Sequence, residues 1–428
     1  MQQPPRIFLG LVEVAGYYAG LEQGLRELGA QVTRVDLYGT AFEYRTSAER
    51  PAPVRIAEWL GRRRAHTPRS RLLAKVWWKT LHLASLPALL IWVASRHDVL
   101  VFGFTSSFMG GREYRWLKRR GKRLVFIFHG SDIRPTYIDG SEMAPSRNIT
   151  SARCVSMTAA KRARLNRIEQ AADLLVSLPS FAHLLRRPFV SFLAIGIPTA
   201  PDDASTDHAA AAHRPRVLHS PSHPEAKGSD LIRAAVEELR NEGLDLDYVE
   251  LRNVSHSRVV EEIHRCDFVV DQLYSDTPMA GFATEAAGLG RAAIVGCEDW
   301  DAALRGLASN TIPPSFRCGS RDVKEAIRML AVDSELRTRI GRDAQAFVQA
   351  RWAPRTVAEN LLRALDGPPD EWVCDPADID YAFGCGLSRP RAAETVQGVL
   401  ATAGRSALLL DDKPQLAERL TALAAGAA

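Results

Sequence analysis

The sequence predicts a doubly wound α/β protein, with two parallel sheets wrapped by helices and facing each other across a cleft. Three observations carry this reading. The chain has 428 residues, beyond the roughly 250–300 at which a single core stops growing. Short apolar runs alternate with helical patterns along most of it. The alternation breaks once, at 198–215 (PTAPDDASTDHAAAAHRP), and then restarts. Strands that are apolar almost throughout belong to sheets covered on both faces, which is the parallel arrangement.

In the first half, residues 6–12 read as a strand. Residues 17–28 read as a helix with Leu21, Leu25 and Leu28 on one side and Gly29 as its stop. Strands are expected at 31–37, 98–104 (DVLVFGF), 123–128 (RLVFIF) and 173–178 (DLLVSL). The apolar stretch 81–94 contains His82, Ser85 and Pro87 and falls short of the roughly 20 residues that span a bilayer. A buried helix is expected there.

After the linker the pattern begins again. Strands are expected at 216–219, 248–251, 268–273 and 292–296, with helices at 229–240, at 256–266 after a Ser255 cap, and at 282–287. Long helices are expected at 321–330, 334–352 and 353–365, and a last one near 416–425. The expected division is an N-terminal domain over 1–197, a linker over 198–215, a C-terminal domain with closing helices over 216–366, and a tail over 367–428.

Composition narrows the function classes. Hydrophobic residues make up 46% and charged residues 25%, a globular balance. A net charge of +5 is too small to argue nucleic-acid binding. The six cysteines form no C-x-x-C pair, so neither a zinc site nor a disulfide framework is expected, and a reducing, cytoplasmic compartment fits. The apolar residues near the N-terminus read as a strand, not a signal peptide.

Ligands of open parallel sheets bind beyond the carboxyl ends of the strands, and four loops there could carry chemistry. In 14–20 (VAGYYAG), Gly16 and Gly20 admit close backbone approach and the helix start offers N–H groups to an anion; a tight turn explains them equally well. In 128–134 (FHGSDIR), His129 ends a strand, with Gly130 for a sharp turn and Ser131 and Asp132 as caps for the next turn. In 219–230 (HSPSHPEAKGSD), Lys227 precedes a helix start, a sensible cradle for a diphosphate or a solvated surface lysine. His219 and His223 are four apart, but Pro221 and Pro224 argue against a helix and so against a metal pair. In 271–289 (DQLYSDTPMAGFATEAAGL), Gly281 opens a helix start toward a ligand. Glu285, one turn in, is either steadied by the helix dipole or poised to accept from ribose hydroxyls.

These four loops, in this order, resemble those of the GT-B glycosyltransferases, in a divergent branch of the retaining family-4 enzymes, over roughly residues 6–365. The resemblance implies that Gly16, with Tyr17 beside it, meets the donor phosphates or the acceptor, and that His129 sits beside the donor sugar. Lys227 would hold the diphosphate. Glu285 corresponds to the second Glu of a Glu-x7-Glu motif and would hold the ribose, with Gly281 and Phe282 at the same helix start. The long helices ending near Leu365 resemble a closing element that crosses back to the first domain.

Two departures stand out. The first Glu of the motif falls on Thr277, where only the adjacent Asp276 offers a carboxylate, and the Arg expected before Lys227 is absent from Ser222–Ala226. The resemblance implies transfer of a hexose-like sugar from a nucleotide-sugar substrate, with retention, without metal and with no separate cofactor, in polysaccharide, glycoconjugate or secondary-metabolite synthesis. An epimerase or phosphorylase of the same fold, or a silent nucleotide-sugar binder, remains open. Residues 61–80 carry Arg62, Arg63, Arg64, Arg69, Arg71, Lys75 and Lys79 with Trp77 and Trp78 and no acid, so peripheral contact of 61–94 with an anionic membrane is a further expectation; the alternative is a solvated basic face.

Overall fold

A computed structural model describes residues 5–38, 51–68, 70–104, 106–199 and 214–426. Arg69 and most of the expected linker lie outside them.

The first domain runs β1 (Arg6–Leu11), α1 (Tyr17–Glu27), β2 (Gln31–Asp36), α2 (Ala52–His66), α3 (Leu72–Arg96), β3 (Val99–Gly103), α4 (Glu113–Arg119), β4 (Arg123–Ile127), α5 (Ser151–Glu169), β5 (Leu174–Ser177), β6 (Phe189–Ser191) and α6 (Phe192–Ile195). The second runs β7 (Arg216–His219), α7 (Pro224–Lys227), α8 (Ser229–Asn241), β8 (Asp247–Glu250), α9 (His256–Arg265), β9 (Phe268–Gln272), α10 (Gly281–Gly288), β10 (Ala292–Cys297), α11 (Trp300–Ala303), β11 (Phe316–Gly319), α12 (Val323–Val332), α13 (Ser334–Arg351) and α14 (Pro354–Asp366). Beyond it come β12 (Val373–Cys374), α15 (Arg389–Ala403) and α16 (Pro414–Ala424).

The sheet orders are β12-β6-β5-β4-β3-β1-β2 and β11-β10-β9-β7-β8. All pairs are parallel except β12 with β6. Both sheets reverse direction of build beside their first strand, so their crevices open after β1 and β3 and after β7 and β9. The apolar runs become buried strands, fully in β3 and β9 and apart from Arg123 in β4. Two parallel, helix-wrapped sheets are the arrangement that the alternating pattern predicts.

The closing helices do cross back. Trp352, at the end of α13, is buried and donates its indole N–H to the Leu193 carbonyl at 3.4 Å. Asn360 of α14 donates to the Ala194 and Ile195 carbonyls. α14 lies on α1 at Gly24, where a Cβ would stand 1.9 Å from the Pro354 carbonyl oxygen; only hydrogen fits there.

Three details differ from the sequence reading. The stretch expected as a buried helix at 81–94 is the second half of a longer α3, and one side of it is exposed. A single turn, α7, was not expected after His223; Pro224 starts it because its fixed φ suits the first helical position, while His219 and His223 share no helix, as expected. The residues after 367 are built into the first domain. β12 extends its sheet, Thr395 of α15 donates to the Tyr137 carbonyl at 2.6 Å, and Asp380, expected in a solvated acidic segment, is paired with Arg305 and Arg419.

Candidate functional site

The first loop is stiffened from within. Gly16 takes a left-handed φ of 81° at the head of α1, a conformation that costs glycine nothing. The adjacent helix start does not wait for a ligand anion, as the sequence suggested. Glu13 Oε1 accepts from the Val14 and Tyr18 backbone N–H groups at 2.9 and 3.0 Å. Its other oxygen accepts from Arg34 at 2.9 Å, and both side chains are buried. The protein's own carboxylate therefore occupies this anion position, and burial raises its pKa above the ordinary range. Nothing in the short-polar capping vocabulary marks Glu13, which is why the sequence did not disclose it.

His129 leaves β4 into the turn of Gly130. Its ring sits edge-on to Tyr17 and Phe192, at 5.0 and 5.5 Å between centroids, and its Nε2 meets the Tyr18 hydroxyl at 3.0 Å. Burial pushes His129 down to about 3, so the imidazole is neutral at physiological pH. Asp132 is buried and holds the turn: its Oδ1 accepts from the His129 and Gly130 N–H groups at 3.1 and 3.0 Å. Burial pushes this carboxyl up to about 6.

Lys227 ends α7 and reaches toward β9, donating to Gln272 Oε1 at 2.5 Å and to Asp271 Oδ1 at 3.2 Å. It is partly buried and partnered: two of its three N–H bonds are engaged. Asp271 is buried and forms its ion pair with Lys227. His219 is also structural, with Nδ1 on the Val270 carbonyl at 2.7 Å and Nε2 on Ser229 Oγ at 2.8 Å. Among the described residues, no cluster of three or more His, Cys, Asp or Glu stands ready for a metal ion.

Asp276 is buried and engaged with Arg134 of the first domain. Four residues past Asp276, Ala280 precedes α10, and no side chain caps that helix start. The first backbone N–H groups of a helix have no partner within it, so the α10 start is a better anion position than the α1 start, which Glu13 already occupies. Glu285 lies one turn in, half-exposed, and accepts from His256 Nε2 at 2.8 Å. That bond raises the His256 pKa. His256 was not singled out in the sequence; the signal was there in its place directly after the Ser255 cap of α9.

The structure brings part of the expected set together. A cavity of about 800 Å³ lies between the domains, lined by Gly16, Gly20 and Gln23 on one side and by His256, Gly281 and Glu285 on the other. Tyr17, His129, Asp132, Lys227, Asp276 and Phe282 are not among its lining residues. Its walls offer a bare helix start, the Arg26 guanidinium, the His256 imidazole and the carboxylates of Glu22, Glu27 and Glu285, a set suited to a hydroxyl-rich ligand with its anionic end at the helix start.

No known family profile matches the chain, and no curated protein matches it either. Among solved structures, it is similar to HepE of Anabaena in complex with UDP, at 11% identity and TM-score 0.49, over 85% of this chain and 99% of that one. It is also similar to WaaG, a glycosyltransferase involved in lipopolysaccharide biosynthesis, at 12% identity and TM-score 0.46, over 84% and 99%. The catalytic domain of starch synthase IV from Arabidopsis thaliana, bound to ADP and acarbose, matches at 12% identity and TM-score 0.45, over 83% and 100%. At these identities the likenesses bear on no individual residue of the site.

Proposed function

We propose that this chain is a glycosyltransferase, of the retaining, metal-independent family-4 kind, that moves a hexose-like sugar from a nucleoside diphosphate to an acceptor. The observation that supports it is the interdomain cavity, where Gly16 of one domain faces the uncapped α10 start and Glu285 of the other. A diphosphate would lie against the backbone N–H groups at Gly281 and Phe282, where the helix dipole favours negative charge. Glu285 would accept from the ribose hydroxyls in place of His256. Neutral His129 would offer one hydrogen bond beside the sugar, held in place by Tyr17, Tyr18 and Asp132. As the bond from the anomeric carbon to the diphosphate breaks, negative charge grows on the leaving oxygen, and the α10 start with the third N–H of Lys227 would stabilise it. The nucleotide-sugar is the substrate and no further cofactor is invoked.

On this reading the chain works in the cytoplasm, peripheral at the inner membrane face, and takes no part in nucleic-acid binding. A second reading, a nucleotide-sugar binder without turnover, is favoured by one fact: Lys227 and Asp276 are both already held in ion pairs. Calorimetry with UDP, GDP, TDP and ADP, followed by transfer assays with the matching sugars, separates the readings. Binding with turnover and a retained anomeric configuration by NMR supports the transferase. Binding with no hydrolysis or transfer supports the silent binder, and binding of none of the four overturns both.

A further inference from the structure

Among the described residues, the hairpin of α2 and α3 leaves one helix side without a partner. α3 buries His82, Leu86, Leu89, Leu90, Val93 and Ala94. Its other side presents Leu72, Leu73, Val76, Trp77, Leu83 and Ile91, which are 70, 88, 61, 62, 48 and 62% exposed. Positions three and four apart share a helix side, so these residues form one stripe, and Lys79 is the single charged residue among the exposed positions from 72 to 91. Trp59 of α2 meets Trp78 beside the stripe, at 5.5 Å between ring centroids.

The charges around the stripe have one sign. Between residues 51 and 97 the sequence holds a single carboxylate, Glu58, and that one is buried, accepting the Asp36 N–H at 3.1 Å. Arg62, Arg63, Arg71 and Lys79 are exposed. A second copy of this chain seated on the stripe would bring two basic edges together. An anionic surface neutralises them instead.

Position matters as well. His82 lies beside Tyr38, just past the end of β2, at 6.0 Å between ring centroids. No residue of α3 before His82 is buried. The first ten residues of the helix, about 15 Å of its length at about 1.5 Å per residue, therefore run outside the buried core. They do so at the carboxyl edge of β2, and since β1 runs parallel to β2, the Gly16 turn leaves the same edge. α3 is long and apolar enough to cross a membrane, yet its opposite side is part of the domain core, so lying on a surface suits it and crossing does not.

We propose that this hairpin seats in the headgroup–acyl boundary of an anionic bilayer. The stripe from Leu72 to Ile91 enters the boundary, and Arg62, Arg63, Arg71 and Lys79 meet lipid phosphates. An amphipathic helix with a basic border lies in this plane, and its cationic belt adds attraction that salt weakens. The proposal deepens the membrane-face location given above. Vesicle binding needs no nucleotide, so its failure leaves sugar transfer standing.

The test is sedimentation of the full chain with vesicles of phosphatidylcholine alone, or with about one-third phosphatidylglycerol, at salt from about 0.05 to 0.5 M. The expected result is binding to the anionic vesicles only, weakened at least tenfold across that range. Leu73→Gln with Trp77→Gln keeps every charge and is expected to weaken binding at least tenfold, with an unchanged circular dichroism spectrum. Arg62→Glu with Arg63→Glu is expected to do the same. No binding to anionic vesicles at low salt overturns the proposal. So does full binding by the Leu73 and Trp77 variant, which would mean adsorption by charge alone. Self-association that the same variant abolishes, without vesicle binding, assigns the stripe to a second copy and also overturns it.

Discussion

Arg134, in the loop after β4, and Asp276, in the loop after β9, form a buried ion pair that joins the two domains, with Nε donating to Oδ2 at 3.1 Å. The same guanidinium holds Asp139 at 2.8 Å. Asp276 is the carboxylate nearest the place where the resemblance expects the first Glu of its motif. In this structure it serves the domain junction.

Arg134→Met would leave two buried carboxylates without their shared cation. Breaking a buried pair from one side costs about 3–5 kcal/mol, so the denaturation midpoint of the variant is expected to fall steeply. Asp276→Asn should cost less, since Arg134 keeps Asp139. Equal stability of Arg134→Met and the unaltered chain in urea would contradict this.

Lys227→Met is expected to act twice. It removes a donor to the leaving diphosphate, a loss of about 2–4 kcal/mol in the transition state, and it leaves Asp271 buried without its cation. Adding Asp271→Asn should restore the melting temperature and leave turnover low. Recovery of both together would mean that Lys227 only neutralises Asp271.

Glu285→Gln should weaken nucleoside diphosphate binding about 10- to 100-fold, because hydrogen bonds to charged groups contribute about 1.5–3 kcal/mol. Acid should weaken binding too. The His256 pKa is raised by its bond to Glu285, so the pair is fully formed below the ordinary histidine pKa and loosens as pH rises through the raised value. Nucleotide affinity is therefore expected to rise over that window. Calorimetry on His256→Ala should show the pH dependence flattened; an unchanged slope would exclude competition between His256 and the ribose.

Tyr18→Phe removes the hydroxyl that fixes the His129 ring. If neutral His129 serves the sugar, turnover should fall while nucleotide affinity holds, since neither residue lines the cavity beside Glu285. His129 is pushed down to about 3, so no change in its charge should show in a pH–rate profile between about 5 and 9. A fall in nucleotide affinity equal to the fall in turnover would assign Tyr18 to donor binding.

The sequence by itself determined the two sheets and the limits of about half the helices, because burial on a strand or helix is written as local periodicity. Ser255 marked the start of α9 for the same reason: a cap acts within one turn. Short strands such as β6 and β12 are too brief to show a period, and the single turn of α7 was hidden by a proline that suits its first position. The sequence also brought Gly16, Gly281 and Glu285 forward, which the fold does gather around one cavity. What it could not decide was which charges are already engaged. Arg134 and Asp276 are 142 residues apart, Lys227 and Asp271 are 44 apart, and His256 and Glu285 are 29 apart. His256 and Glu285 meet at a half-exposed cavity wall, whereas the other two pairs form only where distant residues meet in a desolvated place, in which an unpaired charge is too costly to keep. That cost depends on burial, and burial at a domain junction belongs to the tertiary structure.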